Sequence, residues 1–552
     1  MPLRGDLRNE PEELNAPGAE PPGRNWTGPT DLFGSRKIIL SLLGALTLGL
    51  LLAGCGPEPA SRSRVVLIGL DGASWNLLDP MVKAGELPHF KALMERGVSA
   101  DLASVPPFLS PAVWTSIATS RRPADHGVFY FYSNRHAIRV PTIWDRFAAG
   151  GLRVGLYDYL VTWPPRRFPH GGFSVPGWLR RDESVWPPDL FQRIGLPRYA
   201  YAVVDVGGPE AIIANSEREL RDKPRTWNRL WNELQPDVGA VTFYALDVLS
   251  HRFWHTLADD GSPRPGASGP GILPRTARGI DRAIGEIVDN LAPKDTVLIV
   301  SDHGFQAGRE ARRRWGFDTR RLLQRAGIEP GREKLTILSG FGSVSIRIEP
   351  GPAAEREATL ERVAGFLETV RSSDGAAAFR LLPYHVPPRP GELAAEEVLR
   401  ITPDLLPAHA FLVAQPDEEV FERISREGSL RIGGERVPMD ELATAHDFTG
   451  AHSQIGIFLA AGPAIRHHSR RLRLSVLDVA PLMMYLAGQP VPDDMEGQLQ
   501  RTLIDPDHLE RDPPATIEAA RAPRLPDEKD GAAGAGEDAE TREKLRALGY
   551  IQ

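Results

Sequence analysis

Three continuous apolar runs, each leading into a carboxylate, constrain the fold of this chain most strongly. They are VVLIGL at 65–70 before Asp71, VGAVTFYAL at 238–246 before Asp247, and TVLIVS at 296–301 before Asp302. A continuous apolar run rich in β-branched residues is typical of a strand buried on both faces, as in a parallel sheet flanked by helices. Ligands of such sheets lie beyond the carboxyl ends of the strands, where these acidic residues fall.

Segments with helical periodicity lie between the apolar runs. In 277–292, ARGIDRAIGEIVDNLA, isoleucine and leucine recur at spacings of three or four. Strand character returns at 454–463, QIGIFLAAGP, and is followed by a helical pattern with Ser475 as N-cap and Gly488 as stop. Strands that alternate with helices predict an α/β fold with a mostly parallel central sheet.

The length of 552 residues suggests about three structural units. The irregular, Gly- and Pro-rich character of 311–440 predicts a cap subdomain inserted into the core. We therefore expect the core in two parts, 65–310 and 441–505. The tail at 506–552 is rich in Pro, Ala, Glu and Gly, which predicts disorder up to a short terminal helix, TREKLRALGY.

The N-terminal segment carries the features of a secretory signal. Arg36 and Lys37 precede an uncharged apolar stretch at 38–54 that ends in LAG before Cys55. This ending is similar to the lipobox of bacterial lipoproteins, in which the cysteine is lipidated and begins the mature chain. An uncleaved transmembrane anchor is the alternative, since the stretch is at the short end of what spans a bilayer.

Either interpretation predicts a membrane-anchored protein of the cell envelope, outside the cytoplasm. Residues 1–55 are then a long N-terminal extension plus signal, and 56–64 are a linker. Because Cys55 is the only cysteine, an intrachain disulfide and a cysteine-based zinc site are excluded. A formal net charge of -7 gives no general electrostatic basis for nucleic-acid binding.

Potential metal ligands lie at four places in the sequence. They are Asp71; Asp247 and His251, which at i and i+4 share a helix face; the adjacent Asp302 and His303; and His452 in GAHSQIG. Mixed carboxylate and imidazole ligands suit zinc or manganese better than calcium or magnesium. A single Asp–His pair is usually a loop or cap interaction, so the prediction of a metal site rests on their joint placement at strand ends.

The order of these motifs resembles the alkaline phosphatase superfamily. The motifs are LDG at 70–72, LSPAVWTS at 109–116, HG at 126–127, D-x-x-x-H at 247–251, SDHG at 301–304, GAH at 450–452 and LDVAPLMM at 477–484. The pattern is most similar to the type I phosphodiesterase and nucleotide pyrophosphatase branch, and within it to bacterial and archaeal predicted phosphohydrolases. The resemblance covers 65 to about 505. It implies a three-layer α/β/α sandwich with a mostly parallel central sheet and an inserted cap subdomain.

The resemblance also implies a two-metal phosphohydrolase that cleaves phosphomonoesters or phosphodiesters through Ser110. One divalent ion would be held by Asp71, Ser110, Asp302 and His303, and the other by Asp247, His251 and His452. Zinc is expected, and manganese is possible. Metal ions can lower the pKa of a hydroxyl and clamp phosphoryl oxygens, so a phosphoseryl intermediate needs no His/Asp triad. Taken alone, Ser110 is better interpreted as a residue that caps the following helix.

One position departs from the family pattern. Phosphodiesterases of this branch commonly carry, after HG, an asparagine that binds a phosphoryl oxygen, whereas this chain has GVFYFYSN at 127–134. Either Asn134 substitutes from a longer loop or another group stabilises the transition state. His446, just ahead of His452, is a second candidate for substrate binding.

Several other residues have ordinary structural interpretations. His126 is expected to fix its turn through a bond to the backbone, and His255 is expected to lie behind the metal ligands. Trp75, Trp114 and Trp163 could line a pocket, but aromatic residues near buried strands are usually core. The basic run at 312–314 is expected to be a solvated face.

Two other functions are compatible with the same motifs. A phosphorylated Ser110 could pass its group to a glycan or lipid hydroxyl of the cell envelope, which would make the protein a phosphotransferase. Alternatively, the chain is a catalytically silent, surface-displayed binding protein, although a non-enzyme has no need for such a ligand cluster. A sulfatase is less compatible, because the residues from Ser110 to Val113 lack the C/S-x-P-x-R pattern of that group.

Overall fold

The fold is taken from a computed structural model of the chain. It describes residues 63–523 and 525, without 107, 129–132, 178–183, 197–208, 259–260, 262–263, 265–270, 308–313, 318, 330–331, 333–334, 338–343, 349–351, 384–409, 417 and 447–448. The predicted signal, Cys55 and the predicted terminal helix lie outside these residues. Among the helices that are described, none combines the length and apolar character needed to cross a membrane.

The described residues form the following strands, in chain order: β1 (Val65–Leu70), β2 (Val98–Ala103), β3 (Val154–Tyr159), β4 (Gly172–Pro176), β5 (Val238–Phe243), β6 (Thr296–Val300), β7 (Gly304–Ala307), β8 (Arg314–Phe317), β9 (Leu335–Ile337), β10 (Val344–Ile348), β11 (Val370–Arg371), β12 (Phe379–Pro383), β13 (Ala410–Pro416), β14 (Ser429–Ile432), β15 (Glu435–Pro438), β16 (Ala443–His446), β17 (Gly450–Ser453), β18 (Ile455–Ala461), β19 (Leu472–Ser475), β20 (Val491–Pro492) and β21 (Thr516–Ile517).

The α-helices of the described part are α1 (Trp75–Lys83), α2 (Pro88–Arg96), α3 (Ser110–Thr119), α4 (Pro123–His126), α5 (Ile143–Ala149), α6 (Leu190–Arg193), α7 (Pro209–Leu234), α8 (Ala245–Phe253), α9 (Ile272–Asp289), α10 (Thr319–Arg325), α11 (Ala353–Glu368), α12 (Glu418–Glu427), α13 (Met439–Leu442), α14 (Val479–Leu486) and α15 (Pro506–Arg511). Short 3-10 turns occur at Arg135–Ala137, Trp254–Thr256, Val476–Asp478 and Arg501–Leu503.

An eight-stranded sheet with the order β19-β2-β18-β6-β1-β5-β3-β4 forms the centre of the fold. The strands from β6 to β4 run parallel, and β18 is antiparallel to both β6 and β2. The three apolar runs of the sequence supply the adjacent strands β5, β1 and β6, whose residues are all buried. This confirms the predicted mostly parallel sheet. The second run is shorter as a strand than as an apolar run, because α8 begins at Ala245.

Two groups of helices accompany the sheet. In one group α9 packs against α7, α8, α2 and α1, and in the other α3 packs against α4, α5 and α14. The predicted helix pattern of 277–292 overlaps α9, which ends three residues earlier at Asp289, and the isoleucines of the overlap are buried. Ser475 caps the 3-10 turn that leads into α14, and Gly488 follows that helix at φ 66°. Sheet and helices together form the predicted α/β/α sandwich around one hydrophobic core.

The segment predicted as an insertion has its own hydrophobic cluster, which runs from Leu322 to Leu442. A four-stranded sheet β12-β13-β10-β9 and a three-stranded sheet β11-β14-β15 belong to this segment, and their pairings are antiparallel. The strands β8 and β16 form an antiparallel pair between the segment and the core. The chain therefore leaves the core after β7 and returns at β17, close to its point of departure.

The tail contains local structure up to residue 523. The helix α15 follows Asp505, whose side chain accepts a hydrogen bond from the backbone N–H of His508. Further along, β21 pairs in parallel with β20. The sequence alone predicts no order here, because these short elements gain their stability from packing against α14, as in the hydrogen bond from the Tyr485 hydroxyl to the Asp512 carbonyl.

Candidate metal centre

The carboxyl ends of three adjacent parallel strands bring the predicted ligands together. Asp71 directly follows β1, α8 follows β5, and Asp302 follows β6. The backbone N–H of Asp71 donates to the Phe243 carbonyl at 2.8 Å, and the N–H of Gly72 donates to Asp302 Oδ1 at 3.3 Å. These bonds fix the first carboxylate relative to the other two strand ends.

Gly72 allows the three strand ends to approach closely. Its φ is +68°, and a Cβ at this position would lie 2.8 Å from the Phe305 ring and 2.9 Å from the Asp247 Cα. Glycine therefore serves two purposes here, since it tolerates the left-handed conformation and leaves room for the neighbouring backbone. A glycine is consequently required at the third position of the LDG motif.

Asp247, His251 and His452 form one group of potential ligands. Asp247 and His251 lie one turn apart on α8, and Asp247 Oδ1 is 3.5 Å from His251 Nε2. His452 comes from β17, which pairs with β7 so that His452 lies opposite Phe305. Its Nε2 is 3.2 Å from Asp247 Oδ1 and 3.0 Å from His251 Nε2. The face of α8 that carries Asp247 and His251 therefore lies next to β17, the strand on which the chain returns after the insertion.

His303, Asp71 and Asp302 form the neighbouring group. His303 Nε2 lies 3.3 Å from Asp302 Oδ2 and 3.7 Å from Asp71 Oδ1. It also lies 3.9 Å from Asp247 Oδ1, so Asp247 is common to both groups. The rings of His303 and His452 stack with centroids 3.7 Å apart. The two groups are therefore parts of one continuous cluster.

Ser110 is the first residue of α3 and points into this cluster. The N-cap position is occupied by Leu109, which has no side chain able to cap the helix. The Ser110 hydroxyl instead donates to Asp71 Oδ1 at 3.2 Å and lies 3.5 Å from His303 Nε2. Ser110 is therefore not the cap of this helix, and its oxygen lies at the positive end of the helix dipole.

Backbone carbonyls fix the tautomers of two histidines. His303 Nδ1 is 3.2 Å from the Gly304 carbonyl, and His452 Nδ1 is 2.6 Å from the Phe108 carbonyl. A carbonyl oxygen only accepts, so each Nδ1 carries a proton. In the neutral ring, the Nε2 lone pair is then directed at the carboxylate oxygens. This is the orientation that a metal-ligating histidine requires.

Burial and mutual repulsion shift the acid–base properties of the cluster. Burial, with added repulsion from Asp247, raises the pKa of Asp302 to about 7. The pKa of Asp71 is likewise raised well above its usual range by burial and by the charges of Asp302 and Asp247. For Asp247 the effect of burial is outweighed by His251 and His452, and its pKa is lowered. The raised pKa values of Asp71 and Asp302 mean that their ionised forms are disfavoured, and a bound cation would stabilise those ionised forms.

The donor set fits divalent metal ions. Ligand atoms of Asp247, His251 and His452 lie within 4.8 Å of one another, as do those of Asp71, Asp247 and His303. Within the described part of the chain, no donor hydrogen-bonds to the buried Asp302 Oδ2, and the Nε2 atom that faces it carries a lone pair. Two acceptors that face each other at this distance need a shared proton or a metal cation between them. Three carboxylates and three imidazoles are the mixed set that suits zinc or manganese.

The two candidate substrate-binding residues are placed differently. Asn134 is buried, and its side-chain oxygen accepts a hydrogen bond from the His136 N–H at 2.9 Å, which caps the turn that follows. His446 ends β16, opposite Arg314, and its side chain lies outside the described part of the structure. Binding of substrate by either residue stays a prediction.

The remaining histidines and tryptophans have structural contacts. His126 accepts a hydrogen bond from the Val128 N–H, and His255 Nδ1 lies 3.1 Å from the Thr449 hydroxyl, beside the strand that carries His452. Trp75 and Trp163 are buried. Of the basic run at 312–314, only the backbone of Arg314 is described.

Trp114 has a role in the cluster that the sequence interpretation missed. Its indole N–H donates to Asp71 Oδ2 at 3.0 Å. The sequence places Trp114 four residues after Ser110 and therefore on the same face of the predicted helix, but it does not show that this face meets Asp71. Tryptophan near a buried strand is usually core, and Trp114 is core as well, which concealed its polar contact.

Comparison with known proteins identifies a family and a set of solved structures. The family model described as type I phosphodiesterase / nucleotide pyrophosphatase matches residues 65–389. Human ectonucleotide pyrophosphatase / phosphodiesterase 5 aligns with 16% identity over 80% of this chain and 100% of that chain, with a TM-score of 0.47. Two structures of the murine protein, one of an inactive form in complex with AMP, align with 14% identity, the same coverage and the same TM-score. The curated proteins contain no match.

Proposed function

The chain belongs to the type I phosphodiesterase / nucleotide pyrophosphatase family and is a phosphoric ester hydrolase, and we propose that it acts through a phosphoseryl intermediate on Ser110 with two divalent metal ions, most suitably zinc. One observation carries this proposal. The Ser110 hydroxyl, the only one in direct contact with Asp71 among the described residues, lies at a helix N-terminus and 3.2 Å from Asp71 Oδ1.

The residues that would hold the ions form the two neighbouring groups. Asp71, Asp302 and His303, with Ser110, would hold one ion, and Asp247, His251 and His452 the other. When bound, such ions lower the pKa of a coordinated hydroxyl and neutralise the charge of phosphoryl oxygens. Because Asp247 Oδ1 lies within 3.9 Å of histidines from both groups, the two ions would be neighbours.

Ser110 supplies the nucleophile in the proposed reaction. Its proton is directed at Asp71 Oδ1, so the hydroxyl oxygen has lone pairs available for attack at phosphorus. The Ser110 proton passes to Asp71 Oδ1 as the bond from Oγ to phosphorus forms, the bond from phosphorus to the leaving-group oxygen breaks, and the leaving group departs with that electron pair. The oxygen of a water molecule then bonds to phosphorus as the bond from phosphorus to Oγ breaks, and a proton returns to Oγ, which regenerates the Ser110 hydroxyl and releases the phosphate product.

The first turn of α3 supports the same step. Leu109 provides no side-chain cap, and Pro111 has no N–H, so the backbone N–H groups of Ser110 and Ala112 face the N-terminal end of the helix. N–H groups in this position bind phosphate oxygens and are favoured by the helix dipole. They offer an alternative to the asparagine that this chain lacks directly after its HG motif.

Substitution of Ser110 tests the proposal. We expect Ser110→Ala to lower zinc-dependent turnover of bis-p-nitrophenyl phosphate and p-nitrophenyl phosphate by at least about 10³-fold, because the nucleophile is lost. Ser110→Thr keeps a hydroxyl on Cβ and is expected to retain activity. Mass spectrometry of acid-quenched wild-type protein should locate a phosphoryl group on Ser110.

The control is Ser116→Ala, which removes a hydroxyl from the same helix that faces His126 instead of the cluster. Its turnover should stay within a few-fold of wild type. A Ser110→Ala protein as active as wild type would disprove the phosphoseryl mechanism, and turnover that survives complete chelation would disprove the role of the metal ions.

A further inference from the structure

Asp71 is held by two donors from a single helix. The Ser110 hydroxyl donates to Oδ1 at 3.2 Å, and the Trp114 indole N–H donates to Oδ2 at 3.0 Å. The donors are four residues apart on α3 and therefore lie on one face, a single turn from each other. One helix thus determines the position of both oxygens of this carboxylate.

The Trp114 indole has little freedom to move. The residue is completely buried, and a Cβ on Gly69 of β1 would lie 2.5 Å from the far edge of its ring. The Tyr159 hydroxyl donates to the Trp114 carbonyl at 2.7 Å, and the two rings meet edge to face with centroids 5.4 Å apart. The indole N–H is consequently a fixed donor and not an adaptable one.

This fixed donor assigns different surroundings to the two oxygens of Asp71. Oδ2 accepts from the indole, whereas Oδ1 faces the Ser110 hydroxyl and lies 3.7 Å from His303 Nε2. An indole nitrogen only donates, so the hydrogen bond is lost if the carboxylate turns away from it. The hydrogen bond from the indole therefore occupies Oδ2, and Oδ1 is the oxygen of Asp71 that faces Ser110 and His303.

We propose that Trp114 is a positioning residue, which directs Asp71 Oδ1 toward the ion held with Asp302 and His303. The inference rests on the proposed two-metal function, but it concerns how a ligand is oriented and not how the ester is cleaved. Partners that orient a metal ligand typically change metal affinity by about 10- to 100-fold. The hydrogen bond of Trp114 is of this kind.

Zinc titration of the full chain tests the proposal directly. Metal-free wild type and Trp114→Phe are titrated with zinc in competition with a chromophoric chelator. We expect wild type to bind two equivalents, and Trp114→Phe to bind one of them about 10-fold more weakly while the other is unchanged. The selective effect is expected because Asp71 lies in only one of the two proposed ligand groups.

The chain offers a matched control in Trp144→Phe. Trp144 is also buried, it packs against the same Tyr159 with ring centroids 5.2 Å apart, and its indole nitrogen forms no hydrogen bond within the described structure. The substitution therefore removes an indole from the same aromatic cluster without touching a metal ligand. Both zinc affinities of Trp144→Phe should equal those of wild type.

A double-mutant cycle with Asp71→Ala, which removes both carboxylate oxygens, separates positioning from general support of the fold. If Trp114 acts through Asp71, Trp114→Phe causes no further loss of zinc affinity in the Asp71→Ala background. Additive losses, equal weakening of both equivalents, or unchanged affinity of Trp114→Phe would each overturn the proposal. Should Trp114→Phe not fold, 3-benzothienylalanine at position 114 replaces the indole N–H with sulfur and keeps the ring volume.

The zinc titration is independent of turnover. If Trp114→Phe weakens one of the two zinc equivalents but Ser110→Ala remains active, the phosphoseryl mechanism fails and the role of Trp114 stands. If Ser110→Ala is inactive but both affinities of Trp114→Phe match wild type, the mechanism stands and the role of Trp114 fails.

Discussion

His126 illustrates how a single buried residue near the site is fixed. The Val128 N–H donates to Nδ1 at 3.1 Å, so the ring proton is on Nε2, which lies 3.0 Å from the Ser116 hydroxyl of α3. Burial lowers the pKa of His126 from 6.5 to about 3. The neutral ring joins the HG turn to the helix that begins with Ser110.

This pKa predicts a pH dependence of stability. Because the folded-state pKa is lower than the unfolded one, the unfolded chain binds the extra proton, and the contribution of His126 is complete above about pH 6.5 and lost as the pH falls. Between about pH 6 and pH 4 the loss approaches about 1.4 kcal/mol per pH unit. We expect His126→Gln to lack this component, as measured by urea denaturation of both proteins from pH 4 to pH 8.

All other titrating groups are common to the two proteins, so the difference between their stability curves isolates His126. Curves that stay parallel across this range would show that His126 is not buried as a neutral ring.

The sequence allowed most of the cluster to be predicted, but not its supporting contacts. Asp71, Asp302 and His303 follow apolar runs, and the i, i+4 spacing of Asp247 and His251 is visible in the sequence. The contact of Trp114 with Asp71 joins residues 43 positions apart, so it depends on the distance between α3 and β1. Distances of that kind follow from packing and not from local pattern.

A buried ion cluster connects the helix α7 with the strands β3 and β5. Lys223 of α7 is completely buried, and its Nζ lies 2.6 Å from Glu219 Oε1, 2.8 Å from Asp158 Oδ2 and 2.7 Å from the Thr242 carbonyl. Glu219 Oε1 also accepts from the Tyr244 N–H at 3.0 Å, directly before α8. The cluster thus fixes the entry to the helix that carries Asp247 and His251.

We expect Lys223→Met to destabilise the protein by about 3–5 kcal/mol, because it leaves two buried carboxylates without their cation. The measurement is chemical denaturation at pH 7. Lys91→Met is the control, since Lys91 is 56% exposed and its ion pair with Glu95 spans 3.9 Å. Its effect should be below about 0.5 kcal/mol, and an equally small effect of Lys223→Met would contradict the importance of the buried cluster.

The strands β1, β5 and β6 were predictable because each is a continuous run of apolar residues, which indicates burial on both faces. The buried ion cluster was not, since Glu219 and Lys223 at i, i+4 look like an ordinary solvent-exposed pair. The antiparallel sheets of 311–440 were not foreseen either. Their strands are short and belong to pairings across long stretches of sequence, such as β10 with β13, which local periodicity does not reveal.

We propose that the whole molecule is tethered to a membrane through lipidated Cys55, on the strength of the signal-like segment at 38–54. Nine residues, 56–64, separate Cys55 from Val65, the start of β1, and an extended chain of this length reaches at most about 35 Å. The catalytic unit would therefore stay close to the bilayer surface.

Substitution of Cys55 distinguishes the two possible anchors. We expect wild type, expressed in a bacterium, to incorporate radiolabelled palmitate and to lose the segment before Cys55, whereas Cys55→Ser takes up no label. An uncleaved transmembrane anchor instead predicts that neither protein takes up the label and that both keep the segment before residue 55. Autoradiography and immunoblotting of the two proteins in parallel measure this, and absence of label from wild type would disprove the lipid tether.

The late return of the chain to the sheet has a consequence for biosynthesis. A growing chain that has reached β7 already contains Asp71, Asp247, His251, Asp302 and His303, but it lacks His452 and also β18, the strand between β2 and β6. The sheet is therefore interrupted between β2 and β6 until the segment at 311–440 has been made. A chain that ends within this segment has the strands β1, β5 and β6 that carry these five ligands, but β6 is left as an unpaired edge and the group that includes His452 is incomplete.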